Sequence, residues 1–183
     1  MTRNRKPGRA APPPLDAAAL ERLALRYVER FATSRAKLAD YLRRKIRERG
    51  WEGEAADPDA LAARLAELGY IDDRAFAEAR ARSLGRRGLG ARRVQDAWRQ
   101  AGIEAQDTAA IRPDVDERAA ETALAFARRK RIGPFALAAS DRPRREKQLA
   151  AMLRAGHGFA IARAIVDAPP GASTEDIAAE FAA

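Results

Sequence analysis

The sequence predicts an all-α fold, an elongated array of three tandem three-helix repeats. Composition is the first ground: Ala, Arg, Leu and Glu dominate and β-branched residues are few, which favours helix almost everywhere. Apolar residues recurring at helical spacing, run after run, with glycine or proline between the runs, are the second. The third is a period. Gly50, Gly102 and Gly156 close three middle helices 52 and 54 residues apart, each after a basic segment: YLRRKIRERG, ARRVQDAWRQAG and RREKQLAAMLRAG. A fixed spacing of this order marks units that each pack on their neighbours.

Residues 1–14 hold four basic side chains and three consecutive prolines without apolar periodicity, and are expected to form a disordered basic tail. The first repeat spans residues 15–71. Leu20, Leu23, Ala24, Tyr27 and Phe31 share one helical face; Thr33–Ser34 offers an N-cap for a second helix bearing Leu38, Tyr41, Leu42 and Ile46; Asp57–Pro58 opens a third with Leu61, Leu65 and Leu68 on its buried side. Gly69 stands where a helix C-terminus needs a left-handed residue, and Tyr70–Ile71 can fold back on the last turn. Asp72–Asp73 then suits the start of the next helix, one as a cap and one as negative charge at its positive end. With no histidine, cysteine or third carboxylate placed to complete a metal site, the pair reads as helix punctuation and not as a metal or acid–base site.

The second repeat, residues 72–112, has a helix from about Asp73 to Arg87, a break at Gly88-Leu89-Gly90, a helix with Val94, Ala97, Trp98 and Ala101, and a short segment near Ala105–Ile111. The third, residues 113–168, is degenerate: a long helix from Asp114/Asp116 through Arg131 ended by Gly133–Pro134, a helix started by Pro143 with Leu149, Met152 and Leu153, and a short one marked by Phe159, Ile161 and Ile165. Gln148 stands where the other repeats have Leu42 and Val94. Residues 169–183 form an acidic C-terminal tail with a terminal turn capped by Ser173.

The net charge of +9 suggests a polyanionic partner, although a high arginine content also arises from coding bias, so where the charge sits is more informative than its total. Residues 34–49, 80–100 and 126–149 carry +5, +6 and +6, whereas residues 52–79 and 101–125 carry −6 and −4. Such clusters serve as solvated faces that satisfy helix dipoles; recurring three times, they also suit a basic stripe along one side of an array. The candidate contact residues for a protein or nucleic-acid partner are Arg43, Arg44, Arg47, Arg86, Arg87, Arg92, Arg93, Arg99, Arg144, Arg145 and Lys147, mostly guanidinium groups that fork onto phosphate or carboxylate.

No catalytic, metal or cofactor site is expected. Cysteine is absent, which excludes thiolate zinc sites, disulfides and thiol nucleophiles, and His157 is the sole histidine. GRRGLGARR (Gly85–Arg93) lacks the GK[ST] ending of a phosphate loop and follows a helix, not a strand. Trp51 and Trp98 are apolar anchors of their repeats. No apolar run has the length of a membrane span and the N-terminus has no signal-peptide core, so a cytoplasmic monomer is expected. A stand-alone helix-turn-helix protein with ARRVQDAWRQAG as recognition helix is the alternative; a small nuclease fits worst, for want of carboxylate clusters.

TSRAKLADYLRRKIRERGW, followed by LAARLAELGYIDDRAFAEARARSLGRRGLGARRVQDAWRQAGI, resembles the RecX family of recombination regulators. The most specific element is LGYIDDRAFAEA followed by RRGLGARR. The likeness is strong over residues 34–111 and co-linear over 15–33 and 112–167. It implies a non-enzymatic protein of three three-helix repeats. Such a protein would bind the RecA recombinase filament, and single-stranded DNA directly or through it, damping ATP hydrolysis and strand exchange in DNA repair and the SOS response.

Overall fold

The computed structural model describes residues 13–181. Among them the chain is all-helical, with eleven α-helices, one 3-10 turn and no strand. It divides into two compact units, the first ending at Asp72 and the second starting at Asp73.

The first unit comprises α1 (Ala17–Arg30), α2 (Arg35–Arg49) and α3 (Pro58–Glu67). Side chains start all three helices: Asp16 accepts from the Ala19 amide, Ser34 from Lys37 and Asp57 from Ala60, each satisfying one of the donors a helix N-terminus leaves over. Leu20, Ala24, Leu38, Leu42, Ala62 and Leu65 close the core. Gly69 is left-handed, and the Tyr70 amide reaches back to the Leu65 carbonyl at 2.9 Å, which turns Ile71 inward. Two expectations fail at helix ends. Phe31 is 52% exposed because α1 stops at Arg30 and the backbone leaves it extended, and Leu68 is 64% exposed because α3 ends one residue earlier and Ala62 takes the buried place. Leu15 bridges to Trp51, exchanging backbone hydrogen bonds with Gly50 and Glu52, and Arg49 donates to the Pro13 carbonyl. The beginning of the described chain is thus fastened to the end of α2; residues 1–12 of the expected tail lie outside the described residues.

The second unit holds α4 (Asp73–Arg86), α5 (Ala91–Gln100), α6 (Ala105–Ala109), α7 (Arg112–Glu117), α8 (Ala119–Lys130), the 3-10 turn Gly133–Phe135, α9 (Arg142–Arg154), α10 (Phe159–Asp167) and α11 (Thr174–Glu180). It has two apolar clusters. Ala77, Leu84, Val94, Trp98 and Ile111 form one, with the Trp98 indole donating to the Ala77 carbonyl at 3.0 Å. Ala123, Phe126, Met152, Ile161 and Ile165 centre the other, and Leu89 packs against both.

The long helix expected from Asp114 to Arg131 is two helices broken at Arg118, where ψ flattens to 11°. Val115 packs on the first cluster while Ala120, Ala123 and Ala127 pack on the second, and a single straight helix cannot aim its apolar residues at both. Thr122 helps to hold the break, its hydroxyl donating to the Arg118 carbonyl at 3.0 Å. Nor does Gly133 end α8: Arg131 does so in the left-handed region, φ 55°, which lets the Ile132 amide bond back to Ala127 and buries Ile132. Phe159 is exposed at the first turn of α10, and Ile161, Ala162, Ile165 and Val166 are that helix's buried residues. The C-terminal segment makes a seven-residue helix, with Ser173 accepting from the Asp176 amide and Ile177 buried in the second cluster.

The start of α5 has no side-chain cap. Instead the Gly90 amide donates to the Ala155 carbonyl at 3.0 Å and the Arg92 amide to the Gly156 carbonyl at 3.2 Å, so the N-terminus of α5 meets the C-terminus of α9. Glycine is required on both sides of this approach. A Cβ at residue 90 would lie 2.4 Å from the Gly156 oxygen, and one at residue 156, where φ is +94°, would lie 2.6 Å from the Arg93 nitrogen. Gly90→Ala is therefore expected to destabilise the protein by about 1–3 kcal/mol in urea unfolding, the cost of forcing an extra methyl into a filled space. Gly85→Ala, within α4 and with only a methyl of Thr122 at 3.8 Å, is expected to be neutral or to stabilise by up to about 1 kcal/mol. Arg131→Gly, which relieves the left-handed strain, is expected to stabilise by roughly 0.5–1 kcal/mol.

Candidate partner interface

The basic residues singled out in the sequence lie on three helices and one helix end, and the structure separates those that serve the fold from those left to solvent. On α2, Arg43 is occupied: it pairs with Asp40 at 2.8 Å and with Asp59 of α3, and the Asp59 hydrogen bond raises its pKa. It ties α2 to α3. Arg44 lies 3.7 Å from Glu48 and over the Tyr41 ring; Arg47 is exposed. Glu48 also binds Lys45, whose hydrogen bond lowers the pKa of the carboxyl.

On the second unit the arrangement is more open. Arg92 and Arg93 are exposed on the first turn of α5, and Arg99, also exposed, pairs with Asp96 one turn away. Arg86 and Arg87 are exposed at the end of α4. The N-terminal half of α9 is exposed from Arg142 through Lys147, including Arg144, Arg145 and Lys147; Asp141 caps this end, and Arg142 pairs with Glu146 at 3.2 Å. Because α9 abuts α5, these two cationic helices are held in a fixed mutual register by backbone hydrogen bonds.

A cleft of about 490 Å³ opens among α4, α5, α7 and α8. Arg82, Arg86 and Arg118 line it together with Glu78, Asp114 and Glu121, so its charges balance and it does not extend the basic surface. Among the described residues no group of three or more His, Asp or Glu could hold a metal ion, and no helix is long and apolar enough to cross a membrane. Sequence reasoning missed Arg22, Arg26 and Arg30 of α1, all exposed. Their four-residue spacing, which sets them on one helical face, was the available signal.

No protein-family model matches the chain. A regulatory protein RecX from Myxococcus xanthus (strain DK1622) is 34% identical over 160 residues, covering 82% of this chain and 86% of that protein. This chain belongs to the RecX family. The RecX-like element RRGLGARR is the segment whose Gly90 and Arg92 amides receive the end of α9, and the LGYIDDRAFAEA element supplies the left-handed Gly69 and the buried first-turn Asp73 of α4.

His157 follows the junction directly. It is buried against the Phe126 ring, centroids 5.4 Å apart; the imidazole donates to the Gly88 carbonyl, and Nε2 has no protein partner. Burial lowers its pKa, the Gly88 hydrogen bond opposing the shift only in part. The sign follows from linkage. Below its usual 6.5 the unfolded chain takes up a proton that the folded chain still excludes. This contribution to stability is therefore whole above pH 6.5, falls as the solution is acidified through that value, and levels off once the folded imidazole also protonates. Urea unfolding of the wild type is expected to show this loss between pH 7 and pH 5.5, and His157→Leu is expected to remove that part of the slope.

Proposed function

We propose that this protein is a non-enzymatic regulator that binds the RecA recombinase filament on single-stranded DNA and damps its ATP hydrolysis and strand exchange. In this reading its helices form three successive three-helix units, with α2, α5 and α9 as the basic middle helices. Family membership supports the reading, and one observation carries it further. Exposed arginines on α5 and α9 stand on two helices locked end to end, a rigid cationic element suited to a repeating acidic surface or to phosphates. Several modest contacts on one scaffold give an avidity that no single contact supplies. Bridging neighbouring protomers would hinder the movements that ATP turnover requires.

The helix-turn-helix alternative is weakened by the same junction. A recognition helix puts its N-terminal residues against base edges, whereas the first amides of α5 are engaged by α9.

The test is the recombinase's ATPase on single-stranded DNA. Inhibition is expected at well below one molecule per protomer, and absence of any effect at equimolar addition would overturn the proposal. Replacing Arg92 and Arg93 together by Ala, or Arg144 and Arg145 together, is expected to raise the half-inhibiting concentration about tenfold, roughly 1.4 kcal/mol, with helicity by circular dichroism unchanged. Arg43→Ala with Arg44→Ala should act less, because Arg43 is already paired with Asp40 and Asp59. Affinity for the filament should fall steeply between low and moderate salt.

A further inference from the structure

The first unit carries a surface that the basic middle helices do not explain. Three rings form a row: Tyr41 and Tyr27 stack with centroids 4.3 Å apart at 27°, and Tyr27 meets Phe31 at 5.2 Å and 48°. The inner two are half-buried against the core, while Phe31, at the end of α1, is 52% exposed. Cations surround the row. The Arg30 guanidinium lies 5.7 Å from the centre of the Phe31 ring, and Arg44 and Lys45 lie 5.5 and 5.8 Å from that of Tyr41. Arg22 and Arg26 precede Arg30 at four-residue steps of about 6 Å, so the three form one exposed stripe whose last member, Arg30, three residues after Tyr27, stands next to the rings. None of the three makes an ion pair among the described residues, although Glu29 stands on the last turn with Arg30.

We propose that this row is a direct binding site for single-stranded nucleic acid, with a base stacked on Phe31 and the strand's phosphates along Arg22, Arg26 and Arg30. Stacking on an exposed ring while phosphates meet flanking cations is the physical basis of sequence-tolerant single-strand binding. A duplex has its base faces already stacked and offers only the phosphates. An acidic protein segment would satisfy the arginines and leave the exposed Phe31 ring without a partner, which is why the nucleic acid is favoured. The inference deepens the single-stranded DNA part of the proposed function, but it requires no recombinase.

Its test is accordingly done without recombinase, by fluorescence anisotropy of the full chain with labelled oligo(dT), an abasic strand of equal length, a duplex, and labelled poly-glutamate. Wild type should bind oligo(dT) more tightly than the abasic strand or the duplex. Phe31→Ala should weaken oligo(dT) binding about tenfold and leave the abasic strand unaffected, and Phe31→Trp should retain or improve it. Arg26→Ala with Arg30→Ala should weaken both strands and lessen the salt dependence. Circular dichroism of each variant checks the fold; the exposed position of Phe31 leaves little packing to lose, and the Trp variant supplies a gain that misfolding cannot mimic. Equal wild-type affinity for the abasic strand and oligo(dT), an unchanged affinity in Phe31→Ala, or an equal loss of poly-glutamate binding in that variant would overturn the site. Failure here with intact ATPase inhibition would remove this surface alone; success with no inhibition would remove the recombinase reading.

Discussion

The second unit depends on a contact between two helix ends. Helices leave amides unpaired where they start and carbonyls unpaired where they finish, and each must be met by a side chain, by water or by other backbone. In α5 no side chain serves; the Gly90 and Arg92 amides take the Ala155 and Gly156 carbonyls at the end of α9. The pairing removes two orphan groups on each side. It also sets the positive end of one helix dipole against the negative end of another. Around it the chain is compact: Leu89 reaches into both apolar clusters, the His157 imidazole donates to the Gly88 carbonyl, and Arg129 donates to the Arg87 carbonyl. Glycines that in a phosphate loop would let backbone amides approach an anion here let them approach a helix terminus.

This contact also organises the charge. With its N-terminus engaged, α5 presents Arg92 and Arg93 outward while Val94 and Trp98 face the core, and α9 turns Met152 inward and leaves Arg144, Arg145 and Lys147 to solvent. The first unit uses its cations differently. Arg43 braces α2 against α3, and Arg64 of α3 reaches Glu21 of α1, so part of its basic content is internal bracing, while Arg30, Arg44 and Lys45 lie beside the Tyr41–Tyr27–Phe31 row. An arginine count alone does not separate these two uses; the position of the nearest carboxylate does.

Features fixed within a few residues of chain were legible in the sequence. Ser34 and Asp57 cap as their positions imply, Gly50 and Gly69 end their helices with positive φ, and the apolar spacing of Leu38/Leu42 and Val94/Trp98 points inward. What escaped was set by distant partners. The break at Arg118 exists because two clusters compete for one run of residues, and Arg131 adopts a left-handed backbone because burying Ile132 outweighs the local strain. RRGLGARR was recognisable as a motif, but its task is visible only with α9 in place. For the candidate interface, sequence supplied the cationic helices. It did not indicate that Arg43 is committed to Asp59 or that Phe31 leaves the core: the first follows from the packing of the first turn of α3 on α2, the second from where α1 ends.

Native-state amide hydrogen exchange at Gly90 and Arg92 examines the helix-end contact without altering any side chain. If those amides are held by the end of α9, they exchange as slowly as the core amides of Val94 and Trp98, and open together with them. Exchange of Gly90 and Arg92 at the rate of an exposed loop, with the rest of α5 still protected, would mean that the two helices do not meet.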